Sequence, residues 1–354
     1  MPADTFTVAH LMKQAGYGTG IIGKWGLGKP SSASVPTKMG FDYFFGYNCQ
    51  RAAHEYYPDH LWRNDTVLPL DGKTYSHDLM TTEALDFVGR SKSQPFFLYL
   101  AYTIPHQKLQ VPEITPYENE TWPDNLKKLA AMITRLDRDV GRIMALLKEL
   151  KLDENTLVVF NSDNGGAWRD STFNHSGPLR GYKRDMYEGG IRSPSIARWP
   201  GKVKAGVVSD QVWAFWDVMP TLAELTGQKV PAGIDGISVL PAWLGQKAVA
   251  HPPLYWEFHE RGFFQAARIG DWKAVKLSTK SPIELYDLKT DLGEKNNVAA
   301  QHPAVVKQFE DYLKTARVDS ALFPITENAA GGRRGGKKAP EKKDGEPKKT
   351  ANLR

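Results

Sequence analysis

Two continuous apolar runs separated by a helix-period segment constrain this chain more than any other feature. Pro95-Phe96-Phe97-Leu98-Tyr99-Leu100-Ala101-Tyr102 is almost wholly apolar, the pattern of a strand buried on both faces of a parallel sheet. Leu126, Leu129, Ile133, Leu136, Val140, Ile143 and Leu147 then recur at helical spacing, as on the covered stripe of an amphipathic helix. Thr156-Leu157-Val158-Val159-Phe160 is the next buried-strand candidate. Near the start, Val8, Leu11, Met12 and Ala15 mark a helix face behind the cap-type residues Asp4 and Thr5, and Gly16 closes it. Thr19 to Gly23 reads as a strand entering the loop Gly23-Lys24-Trp25-Gly26-Leu27-Gly28. This alternation predicts an α/β fold, a mainly parallel sheet with helices on both faces.

The pattern changes after about Pro252. Short strands at 254–258, 264–269, 272–277 and 283–288, joined by turns such as Gly270-Asp271, predict a small antiparallel sheet. One helix follows, with Pro303 in its first turn and Val306, Phe309, Leu313 and Ala316 on one face. The expected organisation is a domain at 1–250, a subdomain at 251–320 and a tail at 321–354 too poor in apolar residues to fold.

That tail also explains the charge. Of a formal net charge of +6, the stretch from Ile325 to Arg354 carries +5. The body is close to neutral, which argues against a nucleic-acid-binding face. Cys49 is the single cysteine, so no intrachain disulfide forms. No apolar run approaches the ~18 residues of a membrane span, and the first residues show no signal-peptide pattern.

The chemistry-bearing residues fall in loops. Asp163-Asn164, just past a strand and followed by Gly165-Gly166, offers a carboxylate and an amide oxygen, hard ligands suited to Ca²⁺ or Mg²⁺; taken alone, the same four residues read first as turn chemistry. The Gly-rich stretch from Gly177 to Pro194 holds Arg180, Lys183, Arg184 and Arg192, which suits a tetrahedral oxyanion or, equally, a solvated basic loop. His106 follows a buried strand and a proline, where it can serve as an acid, an anion donor or a structural cap. Lys24 sits in a Gly-rich loop that lacks the P-loop pattern. In parallel sheets ligands bind beyond the carboxyl ends of strands, so Lys24, His106, Asp163, Asn164 and Lys183 together suggest a hard-metal and oxyanion site.

Several segments resemble the type I, formylglycine-dependent sulfatase family, arylsulfatase-like members of the alkaline phosphatase superfamily. They are Leu11 to Trp25, Ser162-Asp163-Asn164-Gly165, Leu179-Arg180-Gly181-Tyr182-Lys183, Glu188-Gly189-Gly190-Ile191-Arg192, Asp217 to Leu222, and Leu285-Tyr286-Asp287-Leu288 with Asp291, Glu294 and Asn297. The resemblance runs from about Thr5 to Arg317. It implies an alkaline-phosphatase-like fold and hydrolysis of a sulfate ester, of an oligosaccharide or a small molecule, to an alcohol and sulfate. It also implies that Asp163 and Asn164 ligate Ca²⁺, that Lys24 and Lys183 bind sulfate oxygens, and that His106 contacts the sulfate and protonates the leaving oxygen. A periplasmic or extracellular location is expected from the same resemblance.

Two departures stand out. The [CS]-x-P-S-R motif that yields the formylglycine nucleophile, and the Asp pair upstream of it, are absent from these residues. The expectation is a sulfatase lacking its N-terminal segment, inactive as this chain and with an incomplete calcium site. A non-catalytic remnant or sulfated-glycan binder, and a phosphodiesterase or phosphonate hydrolase of the same superfamily, are the alternatives. The second departure is Gly26, where the family carries histidine in Gly-Lys-Trp-His-Leu-Gly. His54, then His60, is the candidate to fill that space, or a packing histidine. Trp25, Tyr56, Tyr57, Trp62 and Trp168 are candidates to stack on a sugar ring or to pack locally.

Overall fold

The computed structural model describes residues 1–167, 172–260 and 262–325. By its contacts the chain divides into two units, Met1–Ser162 with Pro194–His251, and Asp163–Ser193 with Pro252 onward. The stretch Asp163–Ser193 groups with the C-terminal residues.

In the first unit, α1 (Val8–Gln14) leads into β1 (Gly18–Lys24), followed by β2 (Tyr43–Tyr47), β3 (His60–Arg63) and β4 (Thr66–Pro69). Then come α2 (Ser76–Arg90), β5 (Phe96–Ala101), α3 (Asp124–Glu149) and β6 (Val158–Asn161). The sheet order is β4-β3-β2-β1-β5. β1 pairs in parallel with β2, Lys24 opposite Tyr47, and with β5, Gly23 opposite Ala101. β3 and β4 add an antiparallel edge. Successive residues of each strand feed opposite faces, as the pleat requires. Ile22, Phe45 and Leu61 pack on Met80, Ala84 and Phe87 of α2 and Ile143 and Leu147 of α3. Ile21 and Phe44 pack with Ala9, Trp25, Met39 and Phe41 on the other side.

α1 begins later than its sequence suggests. Thr7, not Asp4 or Thr5, is the cap: its hydroxyl accepts from the His10 amide at 3.3 Å, while the Thr7 amide donates to His10 Nδ1 at 3.1 Å. Leu11 and Met12 then bury against Leu222 and Ala223 of α5 (Val218–Thr226).

The two apolar runs differ from expectation in their surroundings. Among the described residues β5 pairs only with β1, and Tyr99 is 50% exposed. β6 lies outside the five-stranded sheet and pairs antiparallel with β7 (Ser195–Arg198), leaving Phe160 38% exposed. Both strands are edges of their ladders, so one side of each lacks the cover that a central strand receives. The unit is completed by α6 (Leu240–Trp243).

The second unit holds α4 (Glu188–Ile191) and the meander β8 (Leu254–Phe258), β9 (Phe264–Ile269), β10 (Trp272–Lys276) and β11 (Glu284–Asp287). α7 (Pro303–Thr315) sets Phe309 and Leu313 against Ala267, Ala274 and Leu285. The opposite face of the meander, Ala266, Val275 and Tyr286, is covered by Met186 and Tyr187. That contact explains why the 163–193 stretch groups with the C-terminal sheet. The fold is α/β, a mixed sheet layered with helices plus a small antiparallel sheet and a C-terminal helix. No helix among the described residues is long and apolar enough to cross a membrane. Trp168 and the tail beyond Ile325 lie outside the described residues.

α2 and α3 are tied by a fully buried charge. Asp139 accepts from Thr81 Oγ1 at 3.1 Å and Arg138 Nε at 2.9 Å, and pairs with His77 Nε2 at 3.1 Å. Burial would push its carboxyl up, but hydrogen bonds from His77 and Arg138 outweigh it and hold the group well below the usual carboxylate range. A carboxylate depressed by folding contributes stability above its unfolded value of about 3.9 and loses it as pH falls through the lower folded value. Asp139→Asn is expected to cost about 3–5 kcal/mol at neutral pH by leaving the surrounding cations unpaired. Urea denaturation measures this, and the gap from wild type should close on acidification below about pH 3.9. A constant gap across that range would rule out the ionised pair as its source.

Candidate functional site

In the first unit the candidate side chains lie at the carboxyl ends of the parallel strands. Lys24 is the last residue of β1 and is half-buried. It is set there by glycines that let the backbones close in. A Cβ on Gly23 would sit 2.0 Å from the Ala101 carbonyl oxygen, and one on Gly46 1.9 Å from that of Gly23; both have φ in the region that favours glycine, +126° and +142°. The chain then turns inward. Trp25 is 8% exposed and donates through Nε1 to Ser34 O at 2.8 Å, so it is core and not a sugar platform. At Gly26 φ is +69°, and a Cβ would lie 2.5 Å from Gln50 Oε1. A histidine here needs both a strained backbone and a displaced Gln50.

His106 follows β5. Its amide donates to Thr103 O at 3.1 Å, closing a turn. Tyr56, which is fully buried, donates its phenol hydrogen towards Thr103 O at 2.9 Å and His106 O at 2.8 Å. Burial pushes this phenol far up, so it stays a donor. Tyr56 is therefore a strut for the His106 loop, a role its place in an aromatic run does not reveal. His106 Nδ1 lies 2.8 Å from Gln107 O; a carbonyl only accepts, so Nδ1 carries the proton and Nε2 is the nitrogen left for chemistry. The His54 ring stacks on the His106 ring, with centroids 4.5 Å apart and planes 16° from parallel. His60 instead pairs with Asp59 at 2.6 Å and meets Trp62 edge-on.

In the second unit, Asp163 is exposed and Asn164 half-buried. Asn164 Nδ2 donates to Gly165 O at 3.0 Å, which fixes the amide and distinguishes its oxygen as the remaining group. Two backbone bonds close this turn on the cationic loop: Lys183 N to Gly166 O at 2.8 Å, and Gly165 N to Gly190 O at 3.1 Å. The approach is close enough that a Cβ on Gly165 would meet Gly189 O at 1.9 Å. Asp163, Asn164 and Lys183 thus share one backbone-locked pair of loops, which the sequence alone does not require.

Three of the loop's four cations are structural. Arg180 lies 3.7 Å over the Tyr187 ring and donates to Tyr286 Oη at 2.9 Å and Glu294 O at 2.8 Å. Arg184 pairs with Glu260, and Arg192 with Glu188 at 3.6 Å. Lys183, half-buried, is the remaining cation. Under the loop, fully buried Lys273 sits 2.7 Å from Glu188 Oε1 and 3.5 Å from Glu294 Oε1, and Glu294 Oε2 accepts from the Glu188 amide at 2.7 Å. Burial pushes the Glu294 carboxyl up, with Lys273 opposing it. Sequence reading missed this latch, because a lysine at one strand position gives no sign of being buried.

No group of three or more His, Cys, Asp or Glu side chains suited to a metal occurs among the described residues. Asp163 and Asn164 supply two oxygens where calcium takes six to eight. On their own they do not make a calcium site.

A family profile described as Sulfatase matches residues 2–228, and one described as N-sulphoglucosamine sulphohydrolase, C-terminal, matches 181–319. The chain is 29% identical to the uncharacterized sulfatase YdeN of Escherichia coli K12, covering 92% of this chain and 68% of that protein. It is 33% identical to the N-acetylgalactosamine-6-sulfatase of Canis lupus familiaris, covering 77% and 55%. The chain therefore spans between about half and two thirds of the length of these relatives. The crystal structure of Ps i-CgsB superposes with a TM-score of 0.80 at 30% identity, covering 89% of this chain and 74% of that one. Ps i-CgsB has also been solved in complex with k-i-k-neocarrahexaose.

Removing the buried ammonium isolates its role. Lys273→Met removes the one cation that bridges Glu188 and Glu294, leaving Glu188 only the longer contacts to Arg192 and Arg268 at 3.6 and 3.8 Å, with an expected cost of about 3–5 kcal/mol. Protease cleavage within 180–192 should accelerate with it. A variant with an unchanged urea midpoint and cleavage rate would show that the latch does not hold the loop.

Proposed function

Since the chain belongs to the sulfatase family, we propose that it acts on sulfate esters, with Lys24, Lys183 and His106 as the groups that engage the ester. The observation that supports this reading is the locked loop pair that leaves Lys183, among the described residues, as the one side chain of the loop's four cations with no described ion pair or ring contact, on the loop whose backbone bonds the turn carrying Asp163 and Asn164. A sulfate monoester presents peripheral oxygens that cationic donors neutralise as charge builds toward cleavage of the sulfur–oxygen bond. Lys24 and Lys183 supply such charge, and His106, as the imidazolium with Nδ1 bonded to Gln107 O, gives its Nε2 proton to the leaving alcohol oxygen and returns to the neutral ring.

Calcium and formylglycine belong to the chemistry of the family. Asp163 and Asn164 are the part of a calcium ligand set that these residues supply, and no step is assigned to the metal here. The substrate class proposed is sulfated carbohydrate, supported by the names of the galactosamine sulfatase relatives and by the neocarrahexaose complex of Ps i-CgsB. A periplasmic or extracellular location follows from the same reading.

Isothermal titration with inorganic sulfate and with N-acetylgalactosamine 6-sulfate tests the assignment. Saturable binding is expected, absent for unsulfated N-acetylgalactosamine. Lys183→Ala should weaken it about tenfold or more, the worth of a hydrogen bond to a charged group. Lys314→Ala, an exposed lysine paired with Asp311, should leave it unchanged. Equal losses in the two variants would sink the proposal. On these residues alone, which contain no [CS]-x-P-S-R motif, aryl sulfate hydrolysis should not exceed that of Lys183→Ala.

A further inference from the structure

We propose that Asn48, Gln50 and Thr103 form a hydrogen-bonding subsite beside Lys24 that takes hydroxyl groups on the alcohol half of the ester, a sugar ring. The proposal rests on the sulfate-ester reading given above and names the groups that choose the alcohol.

The argument starts from hydrogen bonds that are not made. Nearly all buried polar atoms in folded proteins are paired, and each exception calls for an explanation. Among the described residues, buried side-chain atoms without a hydrogen bond occur on Asn48, His77, Thr103, Glu188 and Glu294. Three of these residues have ionic partners: His77 faces Asp139, and Glu188 and Glu294 face Lys273. Asn48 and Thr103 carry no charge to pair, and their residues are only 3% and 7% exposed. Asn48 Oδ1 and Thr103 Oγ1 are thus the two neutral atoms left over.

Both stand at the carboxyl ends of the strands that flank β1. Lys24 lies opposite Tyr47 of β2, and Gly23 opposite Ala101 of β5. Asn48 and Thr103 are therefore each one residue beyond the level of Lys24. Strand spacing sets their backbones roughly 10 Å apart across β1. The chain leaving β1 puts little between them, since Trp25 turns into the core and Gly26 has no side chain. The side chain over Gly26 is that of Gln50, whose Oε1 would lie 2.5 Å from a Cβ there. Gln50 is exposed, and its carboxamide makes no hydrogen bond to the described residues.

The donor set defines the ligand. An amide oxygen accepts, a hydroxyl gives and accepts, and a carboxamide offers one acceptor and two donors. None of the three is charged, so holding the sulfate falls to the cations. Their complement is a group that both gives and accepts hydrogen bonds, as a sugar hydroxyl does. Gln50, in solvent, meets the ring directly. Asn48 and Thr103, just beneath the surface, reach it through bridging waters, which bond nearly as well as direct contacts. An alcohol without such hydroxyls leaves these groups unpaired, which is how polar sites discriminate.

Isothermal titration with N-acetylgalactosamine 6-sulfate and with ethyl sulfate, an ester without hydroxyls, tests the proposal. The wild-type chain should bind the sugar ester about tenfold more tightly or better. Gln50→Ala, Asn48→Leu and Thr103→Val should each weaken that binding about three- to tenfold, the worth of a neutral hydrogen bond, and leave ethyl sulfate unchanged. The urea midpoints of Asn48→Leu and Thr103→Val should hold or rise, because an unpaired buried polar group gives way to an apolar one of similar size. A midpoint that falls in both assigns these groups to the fold instead and overturns the proposal. So does a wild type without preference for the sugar ester, or a set of variants that weaken both esters alike or neither. The sulfate-ester reading fails differently, by ethyl sulfate binding that Lys183→Ala leaves unchanged. A chain that binds neither ester overturns both.

Discussion

Where β1, β2 and β5 end, their backbones are closer than any side chain allows. Gly23 leans on the Ala101 carbonyl and Gly46 on the Gly23 carbonyl, so no Cβ fits at either place. The strands are parallel here, and their carboxyl ends open in one direction. That is why Lys24, His54 and His106, far apart in sequence, emerge from one edge of one sheet. Interiors pack as densely as crystals, so a methyl group at either glycine would push the strand ends apart and move every side chain carried past them.

The same device recurs in the second unit under a different load. Gly165 against Gly189 brings two loops into backbone contact, and Gly190 against the Asp185 carbonyl folds the cationic loop tightly on itself. Glycine permits such contact but does not hold it, since it gains freedom in the unfolded chain. The hold comes from below, where Lys273 binds Glu188 and Glu294 out of solvent. A buried ion pair is an expensive way to gain stability, and a well-packed apolar replacement is often as good. What it adds is direction. Glu188 accepts Lys273 while its amide donates to Glu294, and this fixes the turn from which Gly189 and Gly190 close on Gly165.

Much of this was legible in the residues. The meander and its helix follow from alternation, turns and a 3.6-residue apolar stripe, all local signals. The Gly-rich loops, with Lys24, Lys183 and the Asp163-Asn164 pair, stood out because glycine clusters beside charged residues have few other uses. What was not legible depends on neighbours that sequence spacing does not name. An apolar run such as Phe96–Ala101 says that a strand can be covered on both faces, not that it will be, and as an edge β5 leaves Tyr99 half in solvent. The aromatic run at 53–57 could not show that Tyr56 turns inward to brace His106, nor that His54 lies flat on it. Thr7 outcompeted Asp4 and Thr5 as a cap because His10 completes the reciprocal bond, a choice settled by geometry three residues on.

The cationic loop shows how composition misleads when read as a sum. Four positive side chains in a short Gly-rich stretch suggest a broad anion-binding surface. Arg180 is instead spent on two tyrosines and a carbonyl, Arg184 on Glu260 and Arg192 on Glu188. The planar guanidinium, with several donors in a fixed fork, suits such multiple internal contacts, while the lysine ammonium is a point charge on a flexible stem. The arginines therefore shape the loop, while Lys183 is the cation proposed to engage the ester.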